Sequence, residues 1–438
     1  MRLFLSAIAL AVATATLLVG CNTGNGVVTV ASTKSNVRIV NLIPNAGAPL
    51  VVTLDDEPFA SGVAFQSLST YQSIKAGVHT FRAFVTGAPT NVIATGVATL
   101  GEANYSYLMY GPITAPVARI YDDTFSDPGA NNFNVRVINA AAGIGLVDVY
   151  LTAAGADLNR VAPSVSGVEY AAVVSPFTTL PVGNLQLRVT PAGSKEVIYD
   201  SPPFNYQERA AYDIVVYTRG SANLVNVALL SIDGAGTGTI IDSLLSQFKV
   251  VNASTVASPL NVFFDGVLRL SNIPIAGATG YQRTTAGQHT LRVEATATPG
   301  ATLLTYSPIL LPAMDASIIL EGPAGSLQAV LLPDNNLPPG PGNARVRVVN
   351  ATADVAAIDV FVNFSKQISA LPQNSGAYSL ELTADAVTGT AFQFSFNVAG
   401  SAQTLLTLPA VTLVATKTYT LYIVGPATAL KAGLTQDN

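Results

Sequence analysis

The two histidines are the residues whose type most directly suggests chemistry. His79 and His289 occupy the same place in two similar segments, AGVHTFR and AGQHTLR. An imidazole that binds a metal or transfers a proton needs further ligands or an acid–base partner within reach. Two related segments elsewhere place Leu185 and Ala391-Phe392 nearby and offer no substitute ligand. The pattern therefore favours a strand-start residue after an Ala-Gly turn over a catalytic or metal-binding histidine.

Two aspartates at matching positions form the next candidate site. Asp148 and Asp359 each follow a recurring Asn by nine residues. Glycoside hydrolysis needs two carboxyl groups at a fixed separation across a cleft. One such Asp in each segment gives no evidence of a pair, so the sequence predicts that both lie on a solvated strand face.

Two acidic clusters end long β-rich segments. They are Asp122-Asp123 and Asp334-Asn335-Asn336. Oxygen ligands of this kind bind calcium, so one hypothesis places an ion at joints between domains. Polar turns where the chain leaves a domain explain the clusters equally well. Both alternatives remain open from the sequence.

A glycine-rich segment, residues 234–238, superficially resembles a phosphate-binding turn. It reads GAGTG, which is not the G-x-G-x-x-G pattern, and it lacks the lysine of a P-loop. The sequence therefore predicts a flexible linker here.

Tyrosines are concentrated on one late strand of three segments. Exposed aromatic side chains can bind sugars, but Tyr also packs the core of a β-sandwich with its hydroxyl at the rim. Trp is absent from the chain, which weakens the sugar platform. Core packing is therefore the favoured interpretation for Tyr105, Tyr107, Tyr110, Tyr212, Tyr217, Tyr419 and Tyr422.

The N-terminus carries an export signal. Arg2 supplies a positive charge, an apolar run follows, and the sequence LVGC ends at Cys21. This segment resembles the lipobox of bacterial lipoproteins, in which cleavage precedes the Cys and its thiol takes a diacylglyceryl group. The resemblance implies a signal peptide over 1–20 and membrane attachment through Cys21. The alternative is a transmembrane anchor, but a processed signal explains both the short apolar run and the Cys.

The residues around Cys21 bear on location and stability. Cys21 is the only cysteine, so the domains cannot form intrachain disulfides and must be stabilised by their cores. The residue after Cys21 is Asn22 and not Asp. For a Gram-negative source, the chain in this respect resembles lipoproteins that are sorted to the outer membrane. Residues 21–35 are predicted to be a polar tether.

The composition excludes some partners and favours one fold class. Charged residues are only 11% of the chain, the net charge is −5, and no basic run occurs, so nucleic acid is not an expected partner. Hydrophobic residues make up 49%, with 35 Gly. This mixture is typical of many short strands joined by tight turns.

An internal repeat organises the chain. A short motif typical of a β-strand ends in Asn41, Asn139, Asn252 and Asn350. The first two Asn residues are 98 positions apart, as are the last two, and equivalent Asn residues of these two pairs are 211 positions apart. Such self-similarity is the signature of repeated units. Asn at a strand end commonly caps a turn through bonds to the backbone. We expect two copies of a two-domain unit, and a turn-capping role for the Asn.

Each repeat contains about seven short strand candidates, which predicts all-β, tandem immunoglobulin-like or transthyretin-like β-sandwich domains. The only helix candidate is IIDSLLSQF, near the seam between the two pairs. The predicted boundaries are 36–124, 133–233, 248–336 and 344–438 for the domains, with a linker at 234–247.

The repeat phrases resemble a known family. The order VRVVNA, then DVY or DVF, then AGxHTxRV is similar to bacterial envelope repeats classed as a domain of unknown function, DUF4397. The resemblance covers nearly the whole chain after the signal peptide. It implies exported β-sandwich modules and supplies no catalytic residues.

These observations lead to one main functional expectation. We expect a non-enzymatic cell-envelope lipoprotein whose four domains form a rod and serve as a structural, adhesive or interaction module, with neither a cofactor nor a metal. The alternative is a surface lipoprotein that binds a carbohydrate or another small ligand. A protein or glycan is the expected partner beyond the membrane itself.

Overall fold

The computed structural model describes residues 33–88, 90–172, 176–220, 224–376 and 379–438. The predicted signal peptide, Cys21 and nearly all of the tether lie outside these residues. Within the described part of the chain, no helix is long and apolar enough to cross a membrane. The regular secondary structure of the described residues is almost entirely β-strand, so the all-β, tandem-sandwich prediction is confirmed.

Domain 1 contains nine strands in two sheets. The inner sheet has the order β4-β1-β8-β9, with β5 also paired to β1, and the outer sheet has the order β3-β2-β6-β7. The strands are β1 (Lys34–Leu42), β2 (Leu50–Leu54), β3 (Glu57–Val63), β4 (Ser67–Leu68), β5 (Gln72–Lys75), β6 (Gly77–Val85), β7 (Val92–Leu100), β8 (Asn104–Tyr110) and β9 (Val117–Asp122).

Domain 2 repeats this plan with an additional edge strand. Its inner sheet is β13-β10-β17-β18-β19, and its outer sheet is β12-β11-β14-β15, with β16 paired to β14. A single 3₁₀ turn covers Leu158–Arg160. The strands are β10 (Asn132–Ala140), β11 (Val147–Thr152), β12 (Val165–Val168), β13 (Thr178–Pro181), β14 (Gly183–Pro191), β15 (Tyr199–Asp200), β16 (Phe204–Tyr206), β17 (Ala211–Thr218), β18 (Val225–Ser231) and β19 (Gly238–Ile241).

Domain 3 has the inner sheet β23-β20-β28-β29, the outer sheet β22-β21-β25-β26 and a small β24-β27 ladder. A 3₁₀ turn covers Ala324–Ser326. The strands are β20 (Leu245–Ser254), β21 (Leu260–Phe264), β22 (Val267–Ile273), β23 (Gln282–Thr285), β24 (Gly287–Gln288), β25 (Leu291–Ala295), β26 (Thr302–Tyr306), β27 (Ile309–Leu310), β28 (Asp315–Gly322) and β29 (Gln328–Pro333).

Domain 4 has the inner sheet β33-β30-β36-β37 and the outer sheet β32-β31-β34-β35. Its strands are β30 (Asn343–Thr352), β31 (Ala357–Val362), β32 (Ser365–Pro372), β33 (Ser379–Thr383), β34 (Thr390–Val398), β35 (Thr404–Leu413), β36 (Thr418–Gly425) and β37 (Lys431–Gln436).

The inner sheets pack against each other in pairs. In each domain the strand that ends in the recurring Asn pairs in parallel with a second strand, as in β1 with β8 and β30 with β36. One face of these strands lines the core of its own sandwich, and the other face packs on the neighbouring domain. Because both faces are buried, these strands carry apolar residues at consecutive positions, such as Ile39-Val40 in β1 and Val348-Val349 in β30.

Two predictions about the arrangement of the chain are wrong. Domains 1 and 2, and likewise domains 3 and 4, pack face to face rather than end to end, so the four domains do not form a simple rod. The helix candidate near residue 240 instead forms β19 and the start of β20. Pairing of β19 with β18 and of β20 with β23 and β28 overrides the local helical pattern.

The glycine-rich segment 234–238 is a docked turn rather than a free linker. Gly234 and Gly236 have φ of +58° and +67°, and the backbone carbonyl of Ala235 accepts a bond from the Tyr71 amide. A Cβ on Gly236 would lie 2.3 Å from the Tyr71 ring. This close approach holds the end of domain 2 against domain 1.

Candidate functional site

A basic residue stands three positions before the recurring Asn in every repeat. These residues are Arg38, Arg136, Lys249 and Arg347. In a strand, positions of odd separation lie on opposite faces, so the basic side chain and the Asn point to opposite sides of the inner sheet. The basic side chains therefore enter the interface between paired domains, where all four are buried.

In the first pair, domains 1 and 2, two guanidinium groups meet two carboxylates. Arg136 binds Asp213 through two parallel bonds of 2.7 and 2.8 Å and reaches Asp123 of domain 1 at 2.7 Å. Arg38 lies 3.5 Å from Asp123 and 3.7 Å from Asp213. Neither carboxylate is exposed. We call these four residues the first cluster, and their formal charges sum to zero.

Each basic residue of the first cluster also binds the chain exit of the opposite domain. Arg38 donates to the Ser231 carbonyl at 2.6 Å, and Arg136 donates to the Asp122 carbonyl at 2.7 Å. Ser106 links Arg38 to Asp123, accepting from Nε at 2.6 Å and donating at 2.5 Å. The two domains thus exchange equivalent contacts, as in an isologous dimer interface.

The second pair, domains 3 and 4, has a matching cluster. Lys249 forms an ion pair with Asp437 of domain 4 and lies 3.9 Å from Asp334. Arg347 binds Asp334 of domain 3 at 2.5 Å and the Pro333 carbonyl at 2.8 Å. These four residues are the second cluster. It too contains two basic and two acidic groups, each at most 8% exposed.

The carboxylates do not all come from the same position. Asp123, Asp334 and Asp437 follow the last inner strand of their domains, and each backbone amide bonds to the first residue of the preceding inner strand. Ile232 makes that bond in domain 2 and carries no charge. Asp213 compensates, because it pairs in register with Arg136 where domains 1, 3 and 4 have Ser106, Ser317 and Thr420.

Burial and the neighbouring charges act against each other in these clusters. Burial raises the pKa of the Asp123 carboxyl, and the charge of Asp213 adds to this, while Arg38 and Arg136 oppose it. Burial also acts to lower the pKa of Lys249, but the groups around it, with Tyr422 and Asp437 foremost, outweigh burial and raise the pKa. A buried ion pair of this kind contributes mainly through the cost of leaving one member unpaired.

Aromatic rings cover the basic groups in three domains. The guanidinium of Arg38 lies 5.0 Å from the Tyr71 ring centre, and that of Arg136 lies 4.8 Å from Phe177. The Lys249 ammonium lies 5.0 Å from Tyr281. Such contacts stabilise a desolvated cation. The Tyr71 hydroxyl additionally donates to Asp123 at 2.7 Å. The ring of Tyr71 thus contacts the cation, and its hydroxyl binds the carboxylate.

The family comparison agrees with the repeated unit just described. The family model of the domain of unknown function DUF4397 matches residues 35–150 and 246–361, together more than half of the chain. The chain belongs to the DUF4397 family. Each matched span starts at the first strand of a pair and includes both recurring Asn residues and both basic residues of that pair. The two spans are offset by 211 residues, as the repeat predicts.

Two solved structures show weak likenesses to this DUF4397 protein. "The Bacillus anthracis TIE protein" is 8% identical, with 91% of this chain and 69% of that chain covered, at a TM-score of 0.16. A product complex of SpuA, a multi-modular glycogen-degrading pneumococcal virulence factor, is 10% identical, with 86% and 38% covered, also at a TM-score of 0.16. No curated protein matches the chain.

The recurring Asn of the DUF4397 repeats caps a turn, as predicted, and also joins the two sheets of its sandwich. The Asn41 side chain accepts from the Ile43 amide at 3.0 Å and donates to the Val63 carbonyl at 3.0 Å. Asn252 repeats this pattern with the Ser254 amide and the Ile273 carbonyl. Since Val63 and Ile273 lie on outer sheets, each amide bridges an inner and an outer sheet.

The two histidines pair with aspartates in the outer sheets. His79 Nδ1 lies 2.7 Å from Asp55 Oδ2, and Nε2 lies 2.6 Å from the Lys75 carbonyl. His289 has the same environment, with Asp265 at 2.8 Å and a backbone carbonyl at 2.9 Å. Both ring nitrogens face acceptors, which leaves neither to act as a base or a metal ligand in this arrangement. Each His–Asp pair therefore joins the turn of an outer-sheet hairpin, β2–β3 or β21–β22, to the neighbouring strand of the same sheet.

Asp148 and Asp359 do not lie on a solvated face, so that prediction is wrong. They are 6% and 2% exposed. Asp148 accepts from the amides of Gly167 and Gly193 at 2.8 and 2.9 Å, and Asp359 accepts from two equivalent amides and from Lys366. Strand pairing is irregular beside each Asp, and the carboxylate binds the amide of Gly167 or Ala370 on the irregularly paired strand together with the amide of Gly193 or Gly400 in a nearby turn.

The predicted core role of the tyrosines is confirmed. All seven that were singled out are at most 8% exposed. Tyr110, Tyr217 and Tyr422 pack between domains, whereas the other four pack within sandwiches. None of the seven forms an exposed platform.

The acidic chain-exit clusters bind basic side chains rather than assembling around a cation. Asp123 and Asp334 belong to the first and second clusters. In the described part of the chain, no group of three or more His, Cys, Asp or Glu side chains is placed to hold a metal ion. Among the two sequence hypotheses, the polar chain-exit turn agrees with these contacts.

The basic residue before each Asn is the feature that sequence reasoning missed. Its signal was present, because one cation recurs at the same position of four apolar strands in a chain with only 11% charged residues. Its acidic partners were harder to find. Asp213 and Asp437 occupy different positions in their repeats and come together with their bases only through parallel pairing and domain packing.

Proposed function

We propose that this chain is a non-enzymatic lipoprotein of the bacterial cell envelope, attached to a membrane through lipidated Cys21. It acts as a structural, adhesive or interaction module that presents a preassembled four-domain body. The observation that carries the proposal is the matched pair of buried, charge-balanced clusters. Residues repeated across the family units are used there to fix domains against each other.

The other repeated polar residues support the same proposal. The recurring Asn joins sheets, the histidines close hairpin turns, and Asp148 and Asp359 bind backbone amides. All of these side chains stabilise the body, and a rigid body lowers the entropy cost of engaging a partner. The partner surface then belongs to loops and outer faces that differ between repeats.

The anchor is tested by membrane fractionation of the full chain in a Gram-negative host. We expect the wild-type protein to be cleaved and to remain with the outer membrane, and Cys21→Ser to be lost from the outer-membrane fraction. Thr23→Ser is the matched control and behaves as wild type. Membrane retention of an uncleaved Cys21→Ser chain equal to wild type contradicts lipidation and favours a transmembrane segment.

The sorting of the lipoprotein has its own test. Asn22→Asp changes the residue after the lipidated Cys, and we expect it to move the protein from the outer to the inner membrane fraction. Unchanged distribution contradicts the proposed outer-membrane address.

The interaction role is tested with the chain from residue 21 onward, displayed on beads. We expect the beads to bind envelope polymers or neighbouring cells and the binding to survive His79→Gln and His289→Gln. A turnover activity that these two substitutions abolish contradicts the non-enzymatic role. The second candidate function is binding of a carbohydrate or small ligand, and an open polar cleft between the two pairs favours it.

A further inference from the structure

The second cluster places an amine and a carboxylate of different domains in direct contact inside the protein. Lys249 lies on β20 of domain 3, and Asp437 follows β37 of domain 4, 188 positions further along the chain. Their side chains are 2% and 3% exposed and form an ion pair. Holding two charges away from water has a desolvation cost that a neutral group does not have. Loss of one water from this pair would join the two side chains through an amide and remove both charges.

Lysine occupies this position in one of the four repeats. The other three repeats carry Arg38, Arg136 and Arg347 there. A guanidinium keeps its proton in proteins, whereas a lysine ammonium can lose its proton and act as a nucleophile. Among the four equivalent positions, Lys249 is therefore the one whose side chain can react with the carboxylate beside it.

Two threonine hydroxyls bind the Asp437 carboxylate. Thr420 of β36 donates to Oδ2 at 2.5 Å, and Thr435 of β37 donates to Oδ1 at 3.0 Å. Donors fixed at a carboxyl group stabilise the negative charge that develops on its oxygens when an amine attacks the carbon. Since both hydroxyls belong to strands of domain 4, this carboxyl group is oriented and activated before Lys249 attacks it.

A second carboxylate stands beside the amine. Asp334 Oδ2 lies 3.9 Å from Lys249 Nζ, and the Asp334 side chain is 1% exposed. Arg347 and the Tyr281 hydroxyl each donate to Asp334 at 2.5 Å, so its ionised form is stabilised and can accept a proton. A proton relay acts at hydrogen-bond distance or through one water. An open cleft lined in part by Lys249, Tyr281 and Asp437 gives water access to the pair.

The charge on Lys249 sets the pace of such a reaction. Burial acts to lower the pKa of Lys249, but Tyr422 and Asp437 outweigh burial and raise that pKa. The neutral amine is therefore a minor species, and attack on Asp437 is slow. A slow reaction is sufficient here, because each chain needs to react only once and the amide that forms is stable in water.

We infer that Lys249 and Asp437 form an intramolecular isopeptide bond, with Asp334 as the proton relay. Lys249 first gives one proton to Asp437, which leaves an amine and a carboxylic acid. The Nζ–Cγ bond then forms, and Asp334 takes a second proton from the nitrogen. Asp334 returns this proton to the hydroxyl as the Cγ–O bond breaks and one water leaves. No oxidant or reductant takes part, and the cluster stays neutral because one positive and one negative charge disappear together.

The bond ties domain 3 to domain 4 covalently. Cys21 is the only cysteine of the chain, so an intrachain disulfide cannot supply this link. A cross-link between distant positions restricts the unfolded chain, as a disulfide does. The inference goes beyond the scaffold role, which the ion pair alone satisfies. The ion pair is the state of the chain before the bond forms.

Mass spectrometry of the chain from residue 21 onward tests the bond, first on the intact protein and then on tryptic peptides. We expect an intact mass below the sequence mass by one water. Trypsin should not cleave after Lys249, and residues 220–269 and 432–438 should appear as one linked species. Lys366 is the internal control. It binds Asp359 at 2.6 Å, but its side chain is 42% exposed, so we expect this pair to stay unlinked.

Three variants assign the reacting groups. Lys249→Arg keeps the positive charge, matches the other three repeats and should have the full sequence mass. Asp437→Asn replaces the acid with an amide, so its linkage should release one ammonia instead of one water. Asp334→Asn should lower the linked fraction about tenfold or more, because the relay is lost. Thermal melting checks that each variant is folded, and if Asp334→Asn does not fold, the first two variants carry the test.

Three results would overturn the inference. The first is a wild-type chain at its full sequence mass that releases residues 432–438 as a free peptide, which leaves an ordinary ion pair. The second is a water loss that persists in Lys249→Arg, which places the dehydration elsewhere. The third is a linked fraction that a folded Asp334→Asn does not lower, which contradicts the relay. None of these results changes the fractionation of Cys21→Ser, so the scaffold proposal stands or fails separately.

Discussion

The first and second pairs of domains neutralise the buried charges at their interfaces with different residues. Both bury two cations and two carboxylates between face-to-face sheets, and both bring the net charge of the cluster to zero. In the second pair both carboxylates come from chain exits. In the first pair one comes from a chain exit, Asp123, and the other from a strand, Asp213. The constraint is therefore one acid for each base, and two backbone positions can supply it.

The cations of the two clusters also differ in how they bind. Arg136 makes a two-bond contact with Asp213 and a third charged bond to Asp123. Lys249 is a single charged point, and its partner Asp437 is also bound by the hydroxyls of Thr420 and Thr435. A planar guanidinium gives more directional bonds than an ammonium. Removal of the cation should thus cost more in the first pair.

The largest expected effect comes from removing a buried base. We expect Arg136→Met to lower the free energy of unfolding by about 3–5 kcal/mol, because two carboxylates lose their shared partner, and Lys249→Met to cost about 3 kcal/mol. Urea unfolding measures the loss, and hydrogen exchange in β10 and β20 assigns it to a pair.

Arg160→Met is the control, since the Arg160 side chain is 86% exposed, and we expect it to stay within about 0.5 kcal/mol of wild type. Losses for Arg136→Met or Lys249→Met no larger than that of this control would contradict a structural role for the clusters.

A smaller effect distinguishes the docked turn of the first pair. Gly236→Ala places a Cβ 2.3 Å from the Tyr71 ring at a φ of +67°, and we expect a loss of about 1–3 kcal/mol. Gly234→Ala has a similar φ of +58° but open space around its Cβ, so it measures the backbone effect alone. Thermal unfolding measures the loss of stability in each variant. Equal losses for the two variants would show that the turn is not docked on Tyr71.

The smallest expected effect concerns a position that carries different residues in the two domains of the second pair. Asp359 of domain 4 and Asn261 of domain 3 both follow the recurring Asn by nine residues. The Lys366 bond, followed by the Ala370 amide, lowers the pKa of Asp359. A carboxyl with a lowered pKa stabilises the fold above its unfolded pKa and loses that contribution as pH falls through the folded value.

We therefore expect Asp359→Asn to destabilise domain 4 by about 1 kcal/mol at pH 7, and the difference from wild type to shrink below about pH 4. Urea unfolding at pH 7 and pH 3 measures this difference. A penalty that grows on acidification has the opposite sign and would contradict the assignment.

Sequence reasoning recovered the features that depend on local patterns. The repeat phrase, the 211-residue offset and the β-sandwich class follow from alternation, turn residues and self-similarity. The turn-capping role of Asn41 and its equivalents is also local, because its acceptor bond reaches only two residues ahead. The core role of the tyrosines followed from their place on a late strand.

The features that it missed depend on contacts between distant segments. Asp148 was predicted to be solvated because its period-2 position gives no information about the strand irregularity beside it. The helix candidate near residue 240 failed because β18 recruits those residues into a sheet. The expected rod did not include face-to-face packing, because the second buried face of β1 and its equivalents forms only when two domains meet.

The compensated exchange in domain 2 is the central claim, and a double-mutant cycle tests it most directly. Asp213→Ser and Ile232→Asp each break the balance of the first cluster, while the double variant reproduces the Ser-and-Asp arrangement of domains 1 and 3. We expect each single variant to lose about 3 kcal/mol in urea unfolding and the double variant to recover about 1–3 kcal/mol relative to their sum. Additive losses would contradict the claim that either position can supply the acid.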